Sequence, residues 1–416
     1  MRAHVIGAGL AGLAAALSLA EAGREVVLHE AGPAAGGRCR SYFDRGLGCR
    51  IDNGNHLLLS GNGAAMAFLD QVGARASMGG PGLPLFPFMD LRNGERWTLA
   101  PGAGRIPWWV LSPCRRVPGT AMQDYLALLA LRNAADGATV AEVLGHAGTL
   151  YRRLLEPLAV SALNTPADEA LASLMRPVVA ETLMRGGSAC VPLHPRVGLS
   201  ESLVDPALAW LAARGASLVT SRRIAALRIE DGRVSALETP DGPVAVAARD
   251  AVVLAVPAWI AGELLPGLTA PDEFQAILNI HFRLPVSAEG DVGRSGFIGL
   301  VGGTAEWVFV KDGVVSVTVS AANRLVDLPA DAIAALVWPD VRAALSLSGD
   351  MPPVRVVKER RATFAATAAQ ERRRPGPRPG PSNLALAGDW TATGLPATIE
   401  GAIRSGRTAA KLLLAA

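Results

Sequence analysis

The chain has 416 residues, of which 50% are hydrophobic and 19% charged, and its formal net charge is +3. That length suggests two or three folded units, and the composition excludes an intrinsically disordered chain. Forty Lys and Arg against 37 Asp and Glu argue against a dedicated nucleic-acid binder. The four cysteines form no CxxC pair and the six histidines lack HExxH spacing, so neither a disulfide framework nor a metal site is expected. A reduced, cytoplasmic setting fits that cysteine usage.

The chain opens on His4-Val5-Ile6, then Gly7-Ala8-Gly9-Leu10-Ala11-Gly12, then an Ala/Leu-rich run to Ala22 and Gly23. A cleaved signal is the rival reading of this apolar start, but a signal has no use for three glycines in GxGxxG register. A buried strand feeding a helix accounts for it better. Gly7 permits a tight strand-to-helix turn, Gly9 lets the backbone approach a pyrophosphate, and Gly12 lets the helix pack on the strand. The pyrophosphate would then meet free N–H groups at the positive end of the helix dipole. A second strand, Glu25 to Glu30, ends in a carboxylate 18 residues after Gly12, placed to accept from ribose hydroxyls. A carboxylate there repels a 2′-phosphate, which favours FAD or NAD over NADP.

Gly36-Gly37-Arg38 follows at once. This segment resembles the stretch that runs beside the cofactor pyrophosphate in FAD oxidoreductases of the amine oxidase and phytoene desaturase type. An arginine there offers a donor fork to phosphate oxygens. Further along, Ala216 to Glu238 alternates like a hairpin with its turn at Glu230-Asp231-Gly232, and Ala251 to Val256 reads as a buried strand stopped by Pro257. Leu384 to Asp389 reads as strand, turn and acid, and a helix is expected from about Ile399 to Leu414. The resemblance implies that Gly388 and Asp389 meet the ribityl or phosphate part of FAD. It also implies that Thr398 and Ile399 bring the last helix to the flavin ring, and that Val219 belongs to the cofactor set. No cysteine lies near the C-terminal motif, so the FAD is expected to be non-covalent.

Between these segments the composition changes. Leu83 to Val117 is rich in Pro, Gly and Trp and includes Ile106-Pro107-Trp108-Trp109, and Arg115-Arg116 precedes a helical run from Tyr125 to Arg132. Adjacent tryptophans beside leucines and arginines suit a peripheral membrane contact; two buried tryptophans in a helical cap are the alternative. Strands are expected around Ala276–Ile280, Phe297–Val301, Trp307–Val310 and Val314–Val319, as the floor of a substrate-binding sheet. Arg372 to Pro381 reads as a solvated, Pro-rich linker. The expected fold class is therefore α/β: a Rossmann-like FAD-binding domain interleaved with an α+β substrate-binding domain made of a mixed sheet and a helical cap. The FAD-binding part would comprise 1–75, 200–262 and 381–416, and the substrate part 76–199 and 263–380, its cap and membrane-contacting portion at 105–160.

One subgroup resembles this chain along nearly its whole length. The carriers are Asp52-Asn53-Gly54-Asn55-His56-Leu57-Leu58-Leu59, Ala162 to Pro166, Leu300 to Gly303 with Trp307-Val308-Phe309, and Ala387 to Ala402. They are similar to the squalene-associated FAD-dependent desaturase family, the hydroxysqualene dehydroxylases of bacterial hopanoid biosynthesis. Asn55 departs from the glutamine expected there but keeps the amide. The resemblance implies reductive removal of an allylic hydroxyl from hydroxysqualene to give squalene. It also implies an electron donor for the flavin whose identity the sequence does not encode, and a site of work at the inner face of the cell membrane.

Such a reaction needs an acid for the leaving oxygen. His56 is the first candidate, because it can act near neutral pH and lies four residues after Asp52, which could orient it. Asp52 and Glu400 are the others; Asp52 could equally fix the turn at Asn53-Gly54, and Glu400 could cap a helix. Three rival functions stay open at this point. A carotene desaturase or isomerase differs in hydride direction, which residues do not reveal. An amine oxidase would favour more aromatic residues than the 5% present, and a non-enzymatic isoprenoid carrier has no need of the full set of flavin contacts.

Overall fold

Short runs of consecutive apolar residues become parallel strands buried on both faces. The computed structural model describes residues 1–311 and 313–415. Its first sheet has five parallel strands in the order Ser217–Val219, Glu25–His29, Arg2–Ile6, Ala251–Leu254 and Leu384–Leu386. The apolar start is thus a central strand followed by the helix Leu10–Glu21, and Ala3, Val5, Leu13 and Leu17 are fully buried. That helix packs against Ile399–Leu414, which returns the C-terminus to the glycine loop. All five strands come from residues 1–75, 200–262 and 381–416.

The second sheet is mixed and has seven strands. Their order is Val354–Phe364, Phe274–Arg283, Val314–Val319, Trp307–Lys311, Phe297–Val301, Phe86–Asp90 and Glu95–Leu99. Only the pair Phe297–Val301 with Phe86–Asp90 is parallel. Period-two alternation divides its faces. Val315, Val317 and Val319 pack with Ile333, Val337 and Val341 of the helix Ala330–Leu345. Ser316 and Thr318, the intervening residues, turn to the opposite face, where Phe88 and Trp97 stack with centroids 5.5 Å apart.

Two expectations from sequence need correction. Residues 217–219 do not belong to a hairpin: they pair in parallel with Val27–His29, and the hairpin is confined to Ala226–Glu230 and Arg233–Glu238. Val27–His29 would otherwise be left at an open sheet edge, and 217–219 occupies it. The run Tyr125–Arg132 lies within 3-10 turns spanning Met122–Asn133. Its buried residues, Tyr125, Ala127 and Leu131, follow neither period cleanly, so the tightening to three residues per turn is not written in the apolar pattern. The strands Phe86–Asp90 and Glu95–Leu99, concealed among prolines and glycines, were not anticipated.

Candidate functional site

The C-terminal ends of the parallel strands converge on the glycine loop, where open α/β sheets bind their ligands. Gly7 has φ +98°, and a Cβ there would lie 2.4 Å from the Ala255 carbonyl oxygen. A Cβ on Gly12 would lie 1.9 Å from the Gly7 carbonyl oxygen. Gly9 differs: nothing comes within 4 Å of its would-be Cβ, and it caps a 12-residue helix that has no side-chain cap and no acid in its first turn. The loop is therefore closed around Gly7 and Gly12 and open beside Gly9, with N–H donors facing the opening. That is the shape a pyrophosphate requires.

The other cofactor candidates gather around the same opening. Glu30 accepts from Ala8 N–H at 2.9 Å and Gly32 N–H at 2.7 Å, while its own N–H donates to Val219 O at 2.9 Å. Gly36 N–H donates to Ala8 O at 2.8 Å, which places Gly37 (φ +57°) and Arg38 beside the loop. Arg38 Nη2 donates to both carboxylate oxygens of Asp389, at 2.7 and 2.8 Å, although the two are 351 residues apart. Gly388 donates to Ser405 Oγ at 2.8 Å, and Thr398 caps the last helix by accepting from Gly401 N–H at 3.0 Å, so Ile399 opens its first turn. Gly37, whose would-be Cβ lies 3.4 Å from Gly9 Cα, brings the Arg38–Asp389 pair next to the glycine loop, a donor set that suits the phosphates of a dinucleotide.

Arg374 departs from the expected solvated linker. Its side chain is fully buried and donates to the carbonyls of Asp389 at 3.1 Å and of Thr391, to Thr393 Oγ1 at 2.8 Å and to Glu371 at 2.7 Å. It clamps the loop that carries Asp389. A lone arginine among prolines gave no signal for this, because every acceptor but Glu371 lies beyond the linker.

The three candidate acids come apart. Asp52 accepts from Ser41 Oγ at 2.6 Å, Leu199 N–H at 2.9 Å and Lys311 Nζ at 2.5 Å. Burial would raise its pKa, but the Lys311 ammonium and these hydrogen bonds outweigh burial and hold the carboxyl below its usual range. Asp52 is thus an anion that ties a cofactor segment to the mixed sheet, and it does not bond to His56. Glu400 is buried and its two oxygens accept from Ala64 and Ala65 N–H at 2.9 and 2.8 Å, with Arg404 donating at 2.8 Å. It caps the helix Gly63–Gln71, a neighbour of its own. His56 meets no hydrogen-bond partner among the described residues, and burial takes its imidazole down to about 4 despite the pull of Asp52. It is a neutral ring at pH 7.

Asn55 and Asn279 belong to one polar seam. Asn55 N–H donates to Asn279 Oδ1 at 3.2 Å, its amide donates to Thr318 Oγ1 at 3.1 Å, and Asn279 donates to Asn53 O at 3.3 Å. The seam joins the Asp52–Asn55 segment to the inner face of the mixed sheet. Glu306 immediately precedes the strand Trp307–Lys311; its N–H donates to Thr318 O, and its Oε2 accepts from Ser320 N–H at 2.8 Å. Burial pushes this carboxyl up to about 7, against the hydrogen bonds of Ser320 and the charge of Arg324. Lys311, Asn279, Thr318 and Glu306 all went unnoticed in the sequence, since each is defined only by its partner across the fold.

An open glycine loop, an acid on the second strand, and an arginine–aspartate pair joining the two ends of the chain define a dinucleotide-binding flavoprotein. Residues 10–288 and 299–414 match the model of the flavin containing amine oxidoreductases, and the chain belongs to that family. Within it, the hydroxysqualene dehydroxylase of Rhodopseudomonas palustris is 48% identical over 414 residues, 99% of this chain and 98% of that protein. That of Sinorhizobium fredii is 46% identical over 411 residues, again 99% and 98%. A probable zeta-carotene desaturase of Synechococcus elongatus is 39% identical over 74 residues, only 18% of this chain and 15% of that protein. An oxidoreductase from Methanosarcina mazei shares the fold, with TM-score 0.73 and 17% identity over 99% of this chain and 100% of that one.

Proposed function

We infer that the protein is an FAD-dependent oxidoreductase that removes the hydroxyl of hydroxysqualene to give squalene. The observation that carries this reading is the near full-length identity to two hydroxysqualene dehydroxylases, together with a glycine loop left open for a diphosphate. A desaturase acting on carotenes has a likeness over less than a fifth of the chain behind it, and an amine oxidase has the shared fold.

The substrate's leaving hydroxyl is allylic, so its departure as water leaves a delocalised cation. Bound non-covalently, reduced FAD would supply the hydride that completes the C–H bond. The alcohol, a proton and that hydride give the hydrocarbon and water. The chain's own part is to hold the carbon in place, keep water away from the cation and deliver the proton. Phe88, Trp97 and Trp307, on the inner face of the mixed sheet, supply an apolar wall. In this reading Glu306 holds the proton, because burial keeps its carboxyl protonated close to neutrality. His56, neutral, is left as an N–H donor that orients the leaving oxygen, while Asp52 and Glu400 are positioning residues.

The cofactor is tested by colour and release. The purified protein should be yellow, and denaturing it with acid should free FAD into solution. A colourless protein that stays colourless after soaking in FAD would end this reading. The water-insoluble substrate sets the place of work at a membrane face; among the described residues no helix is long and apolar enough to cross a membrane.

A further inference from the structure

Large exposed apolar side chains are concentrated in one short stretch of this molecule. Trp108 is 67% exposed, Leu126 63% and Ile106 60%, and Leu111, Met122 and Leu129 stand out beside them. The stretch is not loose chain. Val110, Val117, Tyr125, Ala127 and Leu131 anchor it in the core, and the Tyr125 hydroxyl accepts from Val117 N–H at 2.9 Å. Trp109 packs edge-on against Tyr125 with centroids 5.3 Å apart, so the two tryptophans divide, one inward and one outward. A rigid, amphipathic surface results.

Its charge is equally uneven. Arg2, Arg228 and Arg360 find carboxylate partners elsewhere on the surface. Arg105, Arg115, Arg116 and Arg132, which border the apolar strip, have none among the described residues. Asp124, the only acid between residues 105 and 132, is occupied in capping Ala121 N–H at 2.8 Å. Exposed apolar residues bordered by exposed cations without carboxylate partners, Arg105, Arg115 and Arg132, complement a surface that is apolar within and anionic at its edge. We propose that residues 105–132 seat the protein on an anionic lipid bilayer, with Ile106, Trp108, Leu111, Leu126 and Leu129 entering the acyl boundary and the exposed Arg105, Arg115 and Arg132 meeting headgroup phosphates.

A neighbouring groove of about 390 Å³ fits this placement. It runs between Leu131–Arg132 and Pro177, Val179, Ala180 and Met184. Glu181, at its wall, bonds Arg404 at 3.0 Å, and Arg404 bonds Glu400 in the first turn of the C-terminal helix. The groove adjoins the docking face at Leu131 and Arg132, where an isoprenoid could leave the bilayer; that clause rests on the substrate reading above, whereas the docking face does not.

The test uses the FAD-loaded protein and vesicles without substrate, so it stands even if the substrate assignment fails. The parent should co-sediment with vesicles of phosphatidylcholine containing phosphatidylglycerol about tenfold more strongly than with phosphatidylcholine alone, and less as salt rises. The double variant Trp108→Glu/Leu126→Glu should lose at least about tenfold of that binding with flavin absorbance and melting temperature unchanged. Equal binding by parent and double variant overturns the proposal, as does a parent that ignores anionic vesicles. A soluble dimer that the double variant dissolves would assign the face to a second copy of the chain instead, and would also overturn it.

Discussion

Replacing Arg374 by methionine removes the cation that holds the Asp389 loop while keeping an apolar side chain in its place. The substitution leaves the carbonyls of Asp389 and Trp390 without their donor, in a site where the Arg374 side chain has no exposure at all, while Thr391 O and Thr393 Oγ1 keep the N–H groups of Thr393 and Leu395. Each orphaned carbonyl costs about 1–1.5 kcal/mol and the lost pair with Glu371 about 1 more, so a total of about 3–4 kcal/mol is expected. For a chain of this size that corresponds to a fall of about 4 °C in melting temperature. If about half of that loosening must be reversed when the cofactor binds, FAD affinity falls about 10–30-fold. Arg374→Lys, which keeps the charge and loses the fork, should lie between parent and methionine. Flavin-fluorescence titration of the apoprotein and a thermal melt measure both quantities. FAD affinity within twofold of the parent, together with an unchanged melting temperature, would refute the clamp.

The glycine loop allows a sharp contrast. Gly12→Ala should destabilise the apoprotein, because its Cβ meets the Gly7 carbonyl, whereas Gly9→Ala should leave the apo melt unchanged and abolish FAD retention; equal effects of the two on the apo melt would contradict this. Buried imidazoles set the acid limit of stability. His29 and His281 are held neutral by burial, which lowers each to about 4. Their contribution is complete above the unfolded value near 6.5 and falls as pH drops toward 4, about 2 kcal/mol of each being lost by pH 5. His281→Asn should therefore reduce the loss in urea-measured stability between pH 7.5 and 5 by about 2 kcal/mol. Glu306→Gln should retain FAD and slow single-turnover flavin oxidation by hydroxysqualene by about a hundredfold or more, erasing the limb of the pH profile near 7; a profile that keeps this limb moves the proton elsewhere.

The nucleotide-binding unit was legible because its signals are local. A strand, three glycines, a helix and an acid within residues 2 to 30 each have one physical use, and the structure places them accordingly. The last helix was likewise readable to the residue, Ile399 to Leu414. What stayed hidden is defined by partners distant in sequence. Lys311 matters because Asp52 lies 2.5 Å away across 259 residues, and Arg374 matters because the Asp389 loop folds over it. Asp52 looked like an orienter of His56 by its spacing, yet in a non-helical segment spacing of four confers no contact. The 3-10 character of Met122–Asn133 was concealed by a run of leucines and alanines that reads as helix, and its buried positions, Tyr125, Ala127 and Leu131, carry no period that discloses it.

The most direct test of the account is the product formed by the chemically reduced, FAD-loaded protein and hydroxysqualene in the absence of air. Mass spectrometry should find squalene, one molecule for each flavin that returns to its oxidised spectrum. Hydroxysqualene recovered unchanged beside a flavin that stays reduced, or a product richer in double bonds than the substrate, would contradict it.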